Sequence, residues 1–159
     1  MRMKIKVKLD PGAYMPTRAH STDAGLDLYS PVDTVVLAKF EGAYAGCESI
    51  DTGVHVEIPA GYVGMIKSKS GLNVKHNITS EGVIDSGYTG SMVVKLYNHG
   101  VDDVFIKKGQ KISQLVLLPI ITPELELVDS LEDTERGDGG FGSTGAFAEH
   151  IHNRFKGEV

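Results

Sequence analysis

Apolar residues recur at every second position in short runs, and glycine- or proline-bearing turns cut those runs off. That pattern constrains the chain more than any other. Residues 4–9 set Ile5, Val7 and Leu9 on one side against Lys4, Lys6 and Lys8. Residues 52–58 set Val54, Val56 and Ile58 against His55 and Glu57, and residues 91–97 set Met92, Val94 and Leu96 against Val93, Lys95 and Tyr97. A period of two sends alternate side chains to opposite faces of a strand, so each run reads as a strand with one buried face. Turn sequences stand where those strands should stop: Asp10-Pro11-Gly12, Pro59-Ala60-Gly61, Asn98-His99-Gly100 and Lys108-Gly109. Residues 112–118 run mostly apolar, which predicts a strand buried on both faces or lying in a subunit contact. No segment before residue 145 keeps helical periodicity for three turns, although residues 71–75 suit one helical turn. The expectation is an all-β sandwich or barrel.

Composition narrows the function. Sixteen Lys and Arg against twenty-one Asp and Glu give a net charge of −5, which leaves no broad basic face for long nucleic acid. No apolar run approaches the ~20 residues of a membrane span, and the N-terminal residues lack the apolar core of a signal peptide. A lone Cys47 between Gly46 and Glu48 has no base beside it, so it reads as a structural or exposed thiol in a reducing, cytoplasmic setting. None of the six histidines groups with acids or cysteines at metal-ligand spacing. Residues 1–135 read as the folded core. Residues 136–145 then read as a glycine-rich arm that is mobile unless something binds it, followed by a short extension, residues 146–159.

Five strings carry chemistry. Arg136 opens the sequence Arg-Gly-Asp-Gly-Gly-Phe-Gly-Ser-Thr-Gly, with five glycines in ten residues. Such a backbone can bring successive N–H groups onto phosphate oxygens. Arg136 adds a forked cation, Phe141 a flat face for a base, and Gly142, Ser143 and Thr144 further donors; a plain linker is the alternative. Gly82-Val83-Ile84-Asp85-Ser86-Gly87-Tyr88-Thr89-Gly90 predicts a hairpin with Asp85 near its tip, either a water-activating base or a turn-capping carboxylate. Asp27, between apolar neighbours in a strand-like stretch, requires a cation, a metal or a buried hydrogen-bond network. Ser68-Lys69-Ser70-Gly71-Leu72 joins cation and hydroxyl just before the helical turn, which suits an anion. Gln114 stands in an apolar strand, and its plain reading is a side chain at a sheet edge.

Together and in this order the strings resemble the five motifs of the trimeric all-β dUTPase family: residues 24–28, 68–72, 82–90, 111–115 and 136–145. The likeness runs from about residue 4 to residue 145. It implies a jelly-roll-like β-barrel or sandwich with a glycine-rich C-terminal arm, assembled as a homotrimer. It also implies hydrolysis of dUTP to dUMP and pyrophosphate with Mg²⁺ on the triphosphate. By the same resemblance Asp85 activates the attacking water and Asp27 holds the metal through its water shell. Lys69, Ser70, Gly71 and Gln114 contact the phosphate chain, and Arg136 clamps its end. Gly82, Val83, Ile84 and Gly87 form the uracil pocket, Tyr88 lies under the deoxyribose, and Phe141 to Thr144 close over the substrate.

Three departures stand out. Lys69 occupies a usual arginine position, which turns a fork into a point charge. Ser113 replaces a small apolar residue. Residues 146–159 extend past the last motif, with Phe147, Ile151 and Phe155 on one stripe if helical. That stripe suggests docking on a neighbouring subunit or a protein partner, and the alternative is a frayed tail. The related dCTP deaminases would need a glutamate shortly after the hairpin, where this chain reads Ser91-Met92-Val93-Val94. A nucleotide-sensing module without turnover is the competing class, but such a module would not need Asp85.

Overall fold

The computed structural model describes residues 4–40 and 45–140. Its backbone contacts separate into two units, Met1–Thr122 and Pro123–Val159. The first holds all the named elements: β1 (Val7–Leu9), β2 (Gly25–Tyr29), β3 (Thr34–Val36), β4 (Gly46–Asp51), β5 (Val54–Val56), β6 (Tyr62–Ser68), α1 (Ser70–His76), β7 (Ile78–Ile84), β8 (Val93–Asn98), β9 (Val104–Ile106) and β10 (Lys111–Pro119). Six strands form one sheet in the order β2-β10-β6-β7-β8-β4, antiparallel at every pairing. Two ribbons, β1–β5 and β3–β9, complete the fold. It is all-β, as the alternation and the turns predict, and jelly-roll-like, as the resemblance implies.

The inward residues of the predicted strands make the core. Val54, Val56, Ile58, Met92, Val94 and Leu96 are all buried, and they join Leu28, Ile66, Ile78, Ile112 and Leu115 in one cluster. Turns fall where they were expected, with positive φ at Gly12, Gly61 and Gly109. Some expectations change. The run over residues 4–9 pairs only at Val7–Leu9, and Leu9 is exposed. The run over residues 52–58 breaks at Gly53, whose φ of +64° turns the chain between β4 and β5. The apolar run over residues 112–118 is buried around Ile112, Ser113 and Leu115 but reaches solvent by Leu118.

The predicted helical turn is α1, anchored by buried Leu72. Asn77 ends it in the left-handed region, sending its N–H to the carbonyls of Asn73 and Leu72. Lys75 and His76 lie in its last turn, where the helix dipole favours positive charge.

Candidate active site

Asp27 is the centre of the first cluster. It lies on β2, 5% exposed, opposite Gln114 of β10. Lys69 Nζ lies 2.6 Å from one carboxylate oxygen and Lys111 Nζ 2.7 Å from the other. Of the partners an inward acid could take, the fold supplies two ammonium groups. Burial alone would raise the Asp27 carboxyl, but the hydrogen bonds and charges of Lys111 and Lys69 outweigh it and hold the group below the usual carboxylate range. The same contact raises the Lys111 ammonium. Lys69 and Lys111 thus set two ammonium groups beside the start of α1, where Ser70 and Gly71 are exposed and the first backbone N–H groups lack helical partners. A phosphate chain is the kind of ligand such a spot attracts.

Gln114 is not at a sheet edge, because β10 runs between β2 and β6. Its Nε2 donates to the Ser68 carbonyl at 3.2 Å. Gly25 makes room for it: a Cβ at Gly25 would fall 2.1 Å from Gln114 Oε1. Ser113 is fully buried, yet its hydroxyl donates to the Lys67 carbonyl and shares a 2.8 Å bond with the Ser80 hydroxyl, so its polar group is satisfied. The sequence reading missed Lys111. A lysine beginning a strand looks like any surface lysine until the fold sets it against Asp27.

The second cluster is the hairpin. β7 rises to Ile84, and Asp85 to Gly87 turn the chain, with the Tyr88 N–H donating to the Asp85 carbonyl and Gly87 at a φ of +89°. Asp85 is exposed on the wall of a cavity of about 260 Å³ lined by Val83, Ile84, Asp85, Tyr88, Ser91 and Val93. Tyr88 folds over Gly90 and donates its hydroxyl to the Ser91 carbonyl at 2.9 Å. A carboxylate, a flat ring and apolar walls thus meet in a space below the ~300 Å³ of a drug-sized site. A larger cavity of about 380 Å³ lies elsewhere in the unit and shares none of these residues; its one cation, Arg18, donates to the Asp23 carbonyl.

β6 measures the gap between the clusters. Gly64 faces Ile84, the residue before Asp85, while Ser68 ends the strand just before Lys69. Four residues of strand span roughly 13 Å. One protomer therefore brings Asp27, Lys69, Lys111 and Gln114 together but holds Asp85 and Tyr88 apart from them. Arg136 belongs to the second unit, where its Nε donates to the Gly139 carbonyl. Phe141, Gly142, Ser143, Thr144 and the extension lie outside the described residues.

Among the described residues no three His, Cys, Asp or Glu side chains gather as a metal cage. With both Asp27 oxygens held by ammonium groups, this donor set does not fit a resident divalent ion. It fits one that arrives on a phosphate chain and keeps its own waters.

The family model for dUTPase matches residues 12–145. Deoxyuridine 5′-triphosphate nucleotidohydrolase of Gloeothece citriformis is 42% identical over 147 residues, covering 90% of this chain and 97% of that protein. The Arabidopsis thaliana protein of the same name is 43% identical over 143 residues, covering 89% and 82%. A Staphylococcus bacteriophage 80alpha dUTPase with dUpNHpp matches this fold with a TM-score of 0.81 at 34% identity, covering 90% of this chain and 99% of that one. A dUTPase from phage phi11 of S. aureus, whose structure describes the coordination of a structural Mg(II) ion, matches at 0.74 and 31%, covering 82% and 100%.

Proposed function

This chain belongs to the dUTPase family, and from that membership we propose that it hydrolyses dUTP to dUMP and pyrophosphate, the substrate entering as its Mg²⁺ complex. The supporting observation is the hairpin, which sets Asp85 and Tyr88 on one small cavity beside Val83, Ile84 and Val93. Asp85 takes a proton from water, the water oxygen bonds to the α-phosphorus, and the bond to the β-phosphate oxygen breaks. Pyrophosphate leaves. Phosphoryl transfer asks the protein mainly for positioning and charge neutralisation.

Gly82, Val83, Ile84 and Gly87 supply a narrow slot for uracil. Backbone groups read the edge of the base; a 5-methyl group does not fit, and cytosine leaves donors and acceptors unpaired. Tyr88 packs under the deoxyribose and excludes a ribose 2′-hydroxyl. Lys69, Ser70, Gly71 and Gln114 hold the phosphate chain. Asp27 would hold the metal through its water shell, and Lys69 and Lys111 would neutralise charge on the phosphates. Arg136 and the arm through Thr144 close the site and expel water.

The 13 Å gap estimated along β6 favours a site shared between copies. In this reading the hairpin comes from one subunit, the lysine cluster from a second and the arm from a third of a homotrimer. The further protein partner proposed for this chain is one that takes residues 146–159.

The test is pyrophosphate release from each deoxynucleoside triphosphate and from UTP, beside Asp85→Asn. Release from dUTP alone, reduced by about 10²–10⁴-fold in the variant, is the expected result for loss of a general base. Tight dUTP binding without product would transfer the protein to the sensing class.

A further inference from the structure

His55 lies on the outward side of β5, yet its side chain is only 17% exposed. Its Nδ1 is 2.8 Å from the Thr89 carbonyl oxygen and its Nε2 is 3.0 Å from Asp10 Oδ2. Both partners are acceptors without a proton of their own. A neutral imidazole carries one N–H, so it would satisfy one partner and set a lone pair against the other. The imidazolium satisfies both. The arrangement selects the charged ring.

Thr89 sits on the returning limb of the hairpin, next to Tyr88. The rest of that limb is fastened to the residues just before His55, from the end of β4 to the start of β5. Ser91 Oγ donates to Asp51, the Met92 carbonyl accepts from the Thr52 N–H at 3.1 Å and the Thr52 hydroxyl at 2.7 Å, and the Met92 N–H donates to the Val54 carbonyl at 2.9 Å. His55 is the fastening nearest Tyr88, and the only one of these groups that ordinarily titrates between pH 5 and 8.

We propose that His55 is a positioning residue: in its charged form it ties the hairpin limb at Thr89 to Asp10, and so fixes Tyr88 and Asp85 for substrate. This rests on the reading of the hairpin as the nucleoside site. Other charges face the ring as well. Lys8 lies 3.6 Å from the other oxygen of Asp10 and opposes the proton, the Lys6–Glu57 pair flanks the ring on the β1–β5 ribbon, and Asp51 stands at the adjoining turn. The balance favours the proton. The Asp10 hydrogen bond, then the Thr89 carbonyl, raise His55 above the ordinary value, against burial and Lys8. A raised value means that the clasp is complete below about pH 6.5 and is lost as the pH rises through the folded value.

Two measurements on the full chain test this. The first needs no substrate: NMR titration of the His55 ring protons, assigned with His55→Gln, alongside the amides of residues 87–90. We expect the ring to titrate above pH 6.5, the hairpin amides to follow with the same midpoint, and that shared transition to vanish in His55→Gln. A ring titrating at or below the ordinary value, or amides indifferent to it, overturns the clasp.

The second is the pH profile of dUTP turnover. Wild-type kcat/KM should fall on the alkaline side with the NMR midpoint, mainly through KM, by a few-fold to about tenfold for one lost hydrogen bond. Asp10→Asn should move that midpoint down, and His55→Gln should lack the limb. A role in stability alone would lower Tm in both variants while leaving the midpoint of the profile in place, and that result would also overturn the proposal. Absence of dUTP turnover in the wild type would overturn the functional reading alone, since the amide titration still decides the clasp.

Discussion

Asp27 carries an ammonium group on each of its carboxylate oxygens, and both lysines come from other strands or loops. Asp27→Asn would leave Lys69 and Lys111 facing each other without the anion between them. Removing one member of a buried pair costs roughly 3–5 kcal/mol, but Lys111 is 43% exposed, so solvent screening brings the expected loss to about 2 kcal/mol. The pH dependence has a definite sign. The folded carboxyl lies below its unfolded value of about 3.9, so its contribution is complete above that pH and disappears as the pH falls through the folded value. Thermal melts of wild type and Asp27→Asn should therefore differ clearly at pH 7, begin to approach each other only below about pH 4, and converge once the pH is under the folded value; a gap that persists unchanged in acid would refute this. The need for a partner at Asp27 was legible in the sequence, because an inward acid requires one. Which partner was not, because Lys111 meets Asp27 only through the pairing of β10 with β2, strands far apart in the chain.

At the scale of elements, glycine shapes the site by what it leaves out. Gly25 on β2 gives its space to the Gln114 amide, and a methyl group there would also fall 2.9 Å from Gln114 Cδ. Gly25→Ala should push that amide off the Ser68 carbonyl. We expect kcat/KM to fall by up to about tenfold through the lost hydrogen bond, with a stability cost of about 1–2 kcal/mol from the crowding. Combining it with Gln114→Ala should bring no further kinetic loss, since both changes remove one interaction; fully additive losses would count against the contact. Glycine also hid part of the fold. β1, β5 and β8 announce themselves through alternating apolar side chains, whereas β6 and β7 do not. β6 carries Gly64 at a buried position, where a Cβ would lie 2.5 Å from Ile58 Cδ1. β7 buries Ser80 beside Ile78, and satisfies it against Ser113 and Ser68. Packing and hydrogen bonding decide those strands, and alternation alone cannot register either. The turns were plainer, since Gly12, Gly61 and Gly109 adopt the positive φ that their Pro-Gly, Ala-Gly and Lys-Gly settings suggest.

At the scale of the whole molecule, the order β2-β10-β6 was beyond sequence reading, because it places the last strand between two early ones. That order is what gathers Asp27, Lys69 and Gln114. It also keeps the hairpin away from them, with four strand residues, roughly 13 Å, in between. On the proposed function different subunits supply the two clusters to one substrate, and complementation can measure this. Take one chain carrying Asp85→Asn and another carrying Ser70→Ala with Gln114→Ala, each weak as a homo-oligomer. Co-expressed in equal amounts, they assemble at random. A site with hairpin and phosphate cluster from different subunits is intact when an unaltered hairpin meets an unaltered cluster, a chance of one half for each. About a quarter of the sites should then recover wild-type turnover. A site built within one chain always carries one defect or the other, so mixing would restore nothing. Activity no greater than the mean of the two homo-oligomers would place the whole site in one protomer, and the hairpin would then have to move some 13 Å toward Lys69 on binding.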